Sequence, residues 1–216
     1  MTDFRTRFLQ LALRAQALRF GEFTLKSGRV SPYFFNAGRF DSGALLAALA
    51  ECYADALDAA GIEFDVLFGP AYKGIPLATA LACEYARRGR DVPVTYNRKE
   101  AKAHGEGGLL VGASIDGRRV LIVDDVITAG TAIREALSHI ASGGGRAAAI
   151  VIALDRQEAV DPAVSRRSAA QTVAQEHGLP VVAVARLDDL LVLDDHPAFA
   201  MHRDRLIAYR GAYGCA

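Results

Sequence analysis

The sequence predicts an α/β protein: a doubly wound, mostly parallel sheet flanked by helices, with a small N-terminal helix-plus-hairpin hood over it. Three observations carry this. Between Asp65 and Ala185, short apolar runs alternate with amphipathic helical stripes, the rhythm of βαβ units whose crossovers make the strands parallel. The central run, Val120-Leu121-Ile122-Val123, is apolar without alternation, as a strand buried on both faces must be. Before Asp65 the rhythm differs: a helical stripe is followed by two extended pieces around a Ser27-Gly28 turn.

In order, Phe4, Phe8, Leu11, Ala15 and Leu18 recur at helical spacing, with Thr2 or Asp3 as the cap and Gly21 as the stop. Phe23 to Lys26 alternates like a strand, and Ser31 to Asn36 runs back. Asp41 or Ser42 caps a second helix whose inward positions are Leu46, Leu49, Tyr53 and Leu57. A strand from Asp65 to Gly69 enters the turn Pro70-Ala71-Tyr72-Lys73-Gly74, and the helix after it turns Leu77, Leu81 and Tyr85 inward. Val92 to Tyr96 is the next strand. Residues 97–108 show no apolar period; cations gather at one end and glycines at the other, which predicts a long polar lid or binding loop.

Val120 to Val123 leads into Asp124-Asp125, and Thr128-Ala129-Gly130-Thr131 opens a helix with Ile133, Leu137 and Ile140 inward, stopped by Gly143-Gly144-Gly145. Ala147 to Leu154 is a strand ending in Asp155-Arg156. Ser168 caps a helix to His177, and Leu179 to Ala185 is a strand. Leu187 to Leu193 and His196 to Tyr209 read as closing helices. The expected division is a hood lobe over residues 1–40 and a core with closing helices over 41–216, one structural domain overall.

Composition removes several function classes. At 51% hydrophobic the 216-residue chain can build one substantial core. A formal net charge of +0 argues against a dedicated nucleic-acid binder, so any basic site must be local. Cys52, Cys83 and Cys215 are odd in number and widely spaced, which disfavours a disulfide framework or a zinc site and points to a reducing cytoplasm. His139, His177, His196 and His202 have no metal-ligand spacing. The first residues do not read as a signal peptide, and no apolar run approaches the roughly 20 residues that span a membrane.

The chemistry concentrates where the central strand ends. In a parallel sheet, the passage from strand end to helix start is where ligands sit. A helix start offers free N–H groups and the positive end of the dipole, which suit a phosphate. Gly130 permits close backbone approach, and Thr128 and Thr131 add hydroxyl donors. Asp124 and Asp125 cannot bind phosphate but can accept hydrogen bonds from sugar hydroxyls, directly or through a metal. Acids on one side and an anion cradle on the other fit a ribose 5-phosphate. The turn at Pro70–Gly74, with Lys73, can grip a second anion, and Arg98, Lys99, Lys102 and His104 can neutralise a departing diphosphate.

Residues 120–133 resemble the phosphoribosyl diphosphate (PRPP) signature of the type I phosphoribosyltransferases. They are not a Walker A loop, whose glycine spacing and lysine are missing. Arg98 to Gly107 resembles the catalytic loop of the orotate phosphoribosyltransferase family. Thr24 to Gly28 with Ser31 to Phe35 resembles that family's orotate-binding hood, and Leu154 to Glu158 its base-recognition strand end. The resemblance implies transfer of phosphoribose from PRPP to orotate. It places PRPP on Lys26, Tyr72, Lys73, Arg98, Lys99, Lys102, His104 and the run Asp124, Asp125, Val126, Ile127, Thr128, Ala129, Gly130, Thr131 and Ala132. Orotate falls to Phe34, Phe35, Thr128 and Arg156, and Lys102, Asp124 and Asp125 are the expected catalytic residues. Mg²⁺ is expected on PRPP oxygens, near Asp124 and Asp125, without a protein cage. The resemblance also implies a cytoplasmic homodimer whose lid cations Arg98, Lys102 and His104 serve the neighbouring subunit's site, with no nucleic-acid or membrane partner. Two rivals have distinct signatures. Against a transferase for another base, Lys26, Phe34, Phe35 and Arg156 argue for an acidic pyrimidine, and a PRPP-sensing regulator would need a DNA-binding segment that the sequence does not show.

Overall fold

The computed structural model describes residues 3–25, 28–102, 108–159, 164–191 and 200–215, the side chains of Lys99, Ala101 and Lys102 excepted. Its framework is a six-stranded sheet in the order β5-β4-β3-β6-β7-β8: β3 (Val66–Gly69), β4 (Val94–Lys102), β5 (Gly108–Gly112), β6 (Arg119–Asp124), β7 (Arg146–Asp155) and β8 (Val181–Arg186). All pairings are parallel except β4 with β5.

Side-chain alternation sends the strands' residues to two cores. Leu67, Leu121, Val123 and Val151 pack on one face against α2 (Gly43–Ala60) and α3 (Gly74–Arg87). Val66, Phe68, Ile122 and Ile150 pack on the other against α4 (Thr131–Ser142) and α5 (Ala169–His177). Helices on both faces explain why β6 reads as a continuous apolar run.

The caps follow the sequence. The Ser42 hydroxyl accepts from Leu45 N at 3.3 Å, and Ser168 forms a reciprocal capping box with Gln171. The hood consists of α1 (Phe4–Arg14) and an antiparallel ribbon of β1 (Leu18–Thr24) with β2 (Val30–Phe35). Phe8, Leu11 and Tyr33 join the same buried cluster as Leu67 and Leu121, so the hood shares its core with the sheet.

Three expectations need correction. First, α1 ends at Arg14, and Gln16, at φ 56°, turns the chain. Leu18 then begins β1 opposite Phe35, and Gly21 lies at a register shift inside the strand. The Leu18 spacing suits helix and strand alike, and pairing with β2 decides it.

Second, residues 97–102 are not loop. β4 continues to Lys102 and folds back into β5, where Gly112 sits so close to β4 that a Cβ would lie 2.2 Å from the Val94 carbonyl oxygen. This ribbon escapes a search for apolar period because its outer half need not be apolar. The remainder of the expected lid, residues 103–107, lies outside the described residues. Third, the expected closing helix is interrupted: a turn at Met201–His202 separates helical Ala200 from the last helix, α7 (Arg203–Tyr213), while the start expected at His196 (192–199) lies outside the described residues. A short α6 (Leu187–Leu191) precedes it.

Candidate active site

The sheet register brings the strand ends together. Phe68 pairs with Ile122, Gly69 with Tyr96 and Asp124 with Ile152, so the segments after β3, β4, β6 and β7 emerge on one edge. Strand order reverses between β3 and β6, the topological switch at which α/β sheets hold ligands.

Asp124 and Asp125 are buried at 8% and 5% exposure. Their backbone is fixed from three sides. The Tyr53 hydroxyl donates to the Asp124 carbonyl oxygen at 2.8 Å, Ala153 N donates to the Asp125 carbonyl oxygen at 2.9 Å, and Asp125 N donates to Asp124 Oδ1 at 2.9 Å. Lys73 Nζ donates to Asp125 Oδ2 at 2.6 Å, and Val126 N to Oδ1 at 2.9 Å. Burial, reinforced by the charge of Asp125, pushes the Asp124 carboxyl up from 3.8 to about 7. The pair is therefore costly to the empty protein, as expected of groups arranged to meet a ligand.

The turn after β3 is shaped by close backbone approach. A Cβ on Gly69 would lie 2.4 Å from the Gly74 carbonyl oxygen, and one on Gly74 would lie 2.7 Å from the Val123 carbonyl oxygen. Between them the Ala71–Tyr72 peptide is cis. Asn97 Oδ1 accepts from Ala71 N at 2.9 Å, tying the turn to β4. Tyr72 is 64% exposed, and Lys73 leans from the turn onto the acid pair.

Beyond the acids opens a cleft of about 330 Å³, bordered by Asp124, Thr128, Gly130, Thr131 and Glu135. Gly130, at φ 72°, begins α4, and a Cβ there would press on Val173 at 3.0 Å. Thr128, Ala129, Thr131 and Ala132 are exposed along this rim, Val126 is half-buried and Ile127 is buried beneath it.

Arg156 follows β7, on the far side of the acids from Lys73. Its Nε and Nη2 donate to Glu158 Oε1 at 3.0 and 2.7 Å. Phe34 and Phe35 are neighbours on β2. Adjacent strand residues face opposite sides, so their rings cannot both flank one flat ligand. The Phe35 ring packs at 6.1 Å from Phe8 and 6.4 Å from Phe40, while Phe34 lies 5.5 Å from Phe23 with Arg19 over it. Asn36 N donates to Ala17 O, so alternation turns the Phe35 N–H away from β1, toward the ribbon's outer edge.

Arg98 is half-buried on β4. The side chains of Lys99 and Lys102, with Lys26 and His104 entirely, lie outside the described residues. Sequence reasoning missed Asn97, Glu158 and the hydroxyl of Tyr53 as site-shaping groups. Asn97 was findable as a polar residue just past a core strand. Nothing local marks the other two.

A parallel sheet with buried acids and a helix-start cradle at its switch point defines a class, and residues 40–174 match the model of the phosphoribosyl transferase domain. The orotate phosphoribosyltransferase of Xanthomonas campestris pv. campestris is 71% identical over 215 residues, covering 99% of this chain and 98% of the relative. That of Stenotrophomonas maltophilia K279a is 67% identical over the same length, with the same coverage. The crystal structure of the Francisella tularensis orotate phosphoribosyltransferase superposes with a TM-score of 0.85 at 41% identity, covering 96% of this chain and 98% of that one. The chain belongs to the orotate phosphoribosyltransferase family.

Proposed function

We propose that the protein transfers the 5-phosphoribosyl group of PRPP to orotate, giving orotidine 5′-monophosphate and diphosphate, a step of pyrimidine nucleotide biosynthesis. The observation that carries this reading is the buried Asp124–Asp125 pair, fixed at a strand end between the Lys73 turn and the α4 start. Acids that are costly in the empty site accept hydrogen bonds from the ribose hydroxyls. The run Val126 to Ala132 holds the 5-phosphate with backbone N–H groups and the Thr128 and Thr131 hydroxyls. Tyr72 and Lys73 hold the diphosphate from the turn, joined by Lys26, Arg98, Lys99, Lys102 and His104.

Orotate lies between the hood and β7. Arg156 takes its carboxylate, Thr128 its near edge and the outer edge of β2 at Phe34 and Phe35 its ring. The orotate N1 lone pair forms the new bond to the anomeric carbon as the carbon–oxygen bond to diphosphate breaks; the electrons of that bond leave with the diphosphate, and the N1 proton is released to the diphosphate oxygens or to solvent. Positive charge develops on the ribose beside Asp124 and Asp125, and negative charge on the leaving oxygens beside Lys73 and Lys102.

Among the described residues no group of three or more metal-binding side chains is present, and the oxygens of Asp125 are already engaged by Lys73 and Val126. A hard cation carried mainly by substrate oxygens fits these donors, and Asp124 is the carboxylate that would join in holding it. Mg²⁺ there would supply charge neutralisation of the diphosphate. The active form is a homodimer, with Lys102 reaching from the partner's ribbon, and it resides in the cytoplasm; the three free cysteines suit that compartment. Among the described residues no helix is long and apolar enough to cross a membrane. The test is the loss of orotate absorbance on adding PRPP with magnesium. Turnover of adenine or uracil in place of orotate would overturn the base assignment.

A further inference from the structure

The surroundings of Arg156 are built in more detail than a surface ion pair requires. Glu158 Oε1 receives Nε and Nη2 of Arg156, and also the Tyr33 hydroxyl at 2.9 Å. The side chains of Glu158 and Arg156 are 10% and 22% exposed, and Tyr33 is fully buried. Burial, then the neighbouring Glu158 charge, holds the Tyr33 hydroxyl well above its ordinary range, so it remains a donor at any working pH. The Arg156 guanidinium also lies over the Tyr33 ring, 5.3 Å from its centroid.

The backbone carrying this group is clamped. Gln157, between Arg156 and Glu158, has φ 50°, a left-handed conformation that a non-glycine residue keeps only where its surroundings hold it. Its side chain is held at both ends by Asp188, with Nε2 donating to Oδ2 at 2.9 Å and Asp188 N donating to Oε1 at 2.8 Å. Residues 213–215 pair with the same turn: Cys215 N donates to Gln157 O at 2.7 Å and Ala159 N to Tyr213 O at 2.8 Å, around a Glu158–Gly214 bridge. Tyr209 of α7 meets Tyr33 edge-on at 6.3 Å.

A guanidinium offers two fork-shaped donor edges besides its single N–H groups. Glu158 occupies the Nε–Nη2 edge, which fixes the plane and direction of the Nη1–Nη2 edge. We propose that Glu158 is a positioning and specificity-determining residue. It holds one edge of Arg156 so that the other meets the planar carboxylate of the base squarely, and Tyr33 fixes Glu158 in turn. This rests on the assignment of the orotate carboxylate to Arg156. The ordering of a long, rotamer-rich side chain is thereby completed before the substrate arrives.

Charge alone predicts the opposite behaviour. Glu158 is an anion beside an anion site, so if it acted only through its field, removing it would tighten orotate. The positioning role makes geometry decide.

The experiment measures KM for orotate and for PRPP, with melting temperature, in five variants. Glu158→Ala removes the acceptor and should raise the orotate KM about tenfold while the PRPP KM stays within about twofold. Glu158→Gln keeps the acceptor oxygen and should restore the orotate KM to within about threefold of wild type. Tyr33→Phe, which keeps the ring, should raise it by about threefold, and it carries the test should Glu158→Ala not fold. In an Arg156→Ala background, where orotate KM is already high, adding Glu158→Ala should have no further effect. If Arg156→Ala weakens orotate but Glu158→Ala and Tyr33→Phe leave it unchanged or tighter, the positioning role is wrong and the base assignment stands. If Arg156→Ala leaves orotate untouched, both fall. Equal changes in the two KM values would reduce Glu158 to a structural part.

Discussion

Replacing Asp124 by asparagine separates what the acid does for the ligand from what it costs the fold. Asparagine keeps the Oδ1 acceptor that receives Asp125 N, so the local backbone should hold. In the folded protein the Asp124 carboxyl sits at about 7 against an ordinary 3.8. The folded form therefore holds this proton more tightly than the unfolded chain. The associated stability is complete below about pH 4, is lost as pH rises toward 7 and stays lost above it. Linkage caps that loss at roughly 4 kcal/mol. Solvent reaching the pair from the cleft screens part of it, so about 2 kcal/mol is expected, or roughly 4–8 °C for a chain of this size. Without substrate, the melting curves of Asp124→Asn and wild type should coincide near pH 4 and diverge to about pH 7, with the variant the more stable. Its turnover should fall by about a hundredfold or more, because the neutral amide cannot face developing positive charge equally well. A variant that melts lower than wild type at pH 8, or that keeps its turnover, would show the carboxyl to be a structural group.

Three further outcomes are expected. Lys73→Ala should raise the PRPP KM by about tenfold and the orotate KM far less, measured by initial rates; a selective effect on orotate would remove Lys73 from the diphosphate site. Tyr53→Phe deletes the donor to the Asp124 carbonyl and should destabilise by about 1–2 kcal/mol in urea titration while raising the PRPP KM, whereas unchanged PRPP kinetics would confine Tyr53 to the core. Mixed dimers formed by refolding equal amounts of Lys102→Ala and Asp125→Asn should regain about a quarter of wild-type activity. Verified mixed dimers without recovery would place Lys102 in its own chain's site.

The central site is legible because its information is local. A buried strand, an acidic end, a glycine and a helix start follow one another within residues 120–133, and each has a chemical reason independent of the rest of the chain. The hood is less legible. Leu18 has the spacing of a helix residue, and only its pairing with Phe35 makes it strand. The rings of Phe34 and Phe35 look equivalent in sequence, yet Phe8 and Phe40, supplied by other segments, claim one of them. The β4–β5 ribbon hides because an edge strand need not bury its outer residues. Glu158 sits two residues from Arg156, but nothing in that spacing tells that a bend at Gln157, held by Asp188, turns the two side chains together.

The pairing of residues 213–215 with the turn at 157–159 sets an order on biosynthesis. A polypeptide emerges amino end first and folds as its parts become available. β6 and α4, which carry Asp124 and the rim of the cleft, precede in the chain both α5, whose Val173 lies against the α4 start, and α7, whose Leu206 and Tyr209 join the buried cluster of Leu121 and Val123. Tyr213 and Cys215 brace the turn that carries Glu158, the partner of Arg156, and Tyr209 packs on Tyr33. In the proposed site, the residues assigned to phosphoribose are thus synthesised before the segment that braces the turn beside Arg156, and a chain lacking residues 213–215 would keep the former and lose a clamp on the latter.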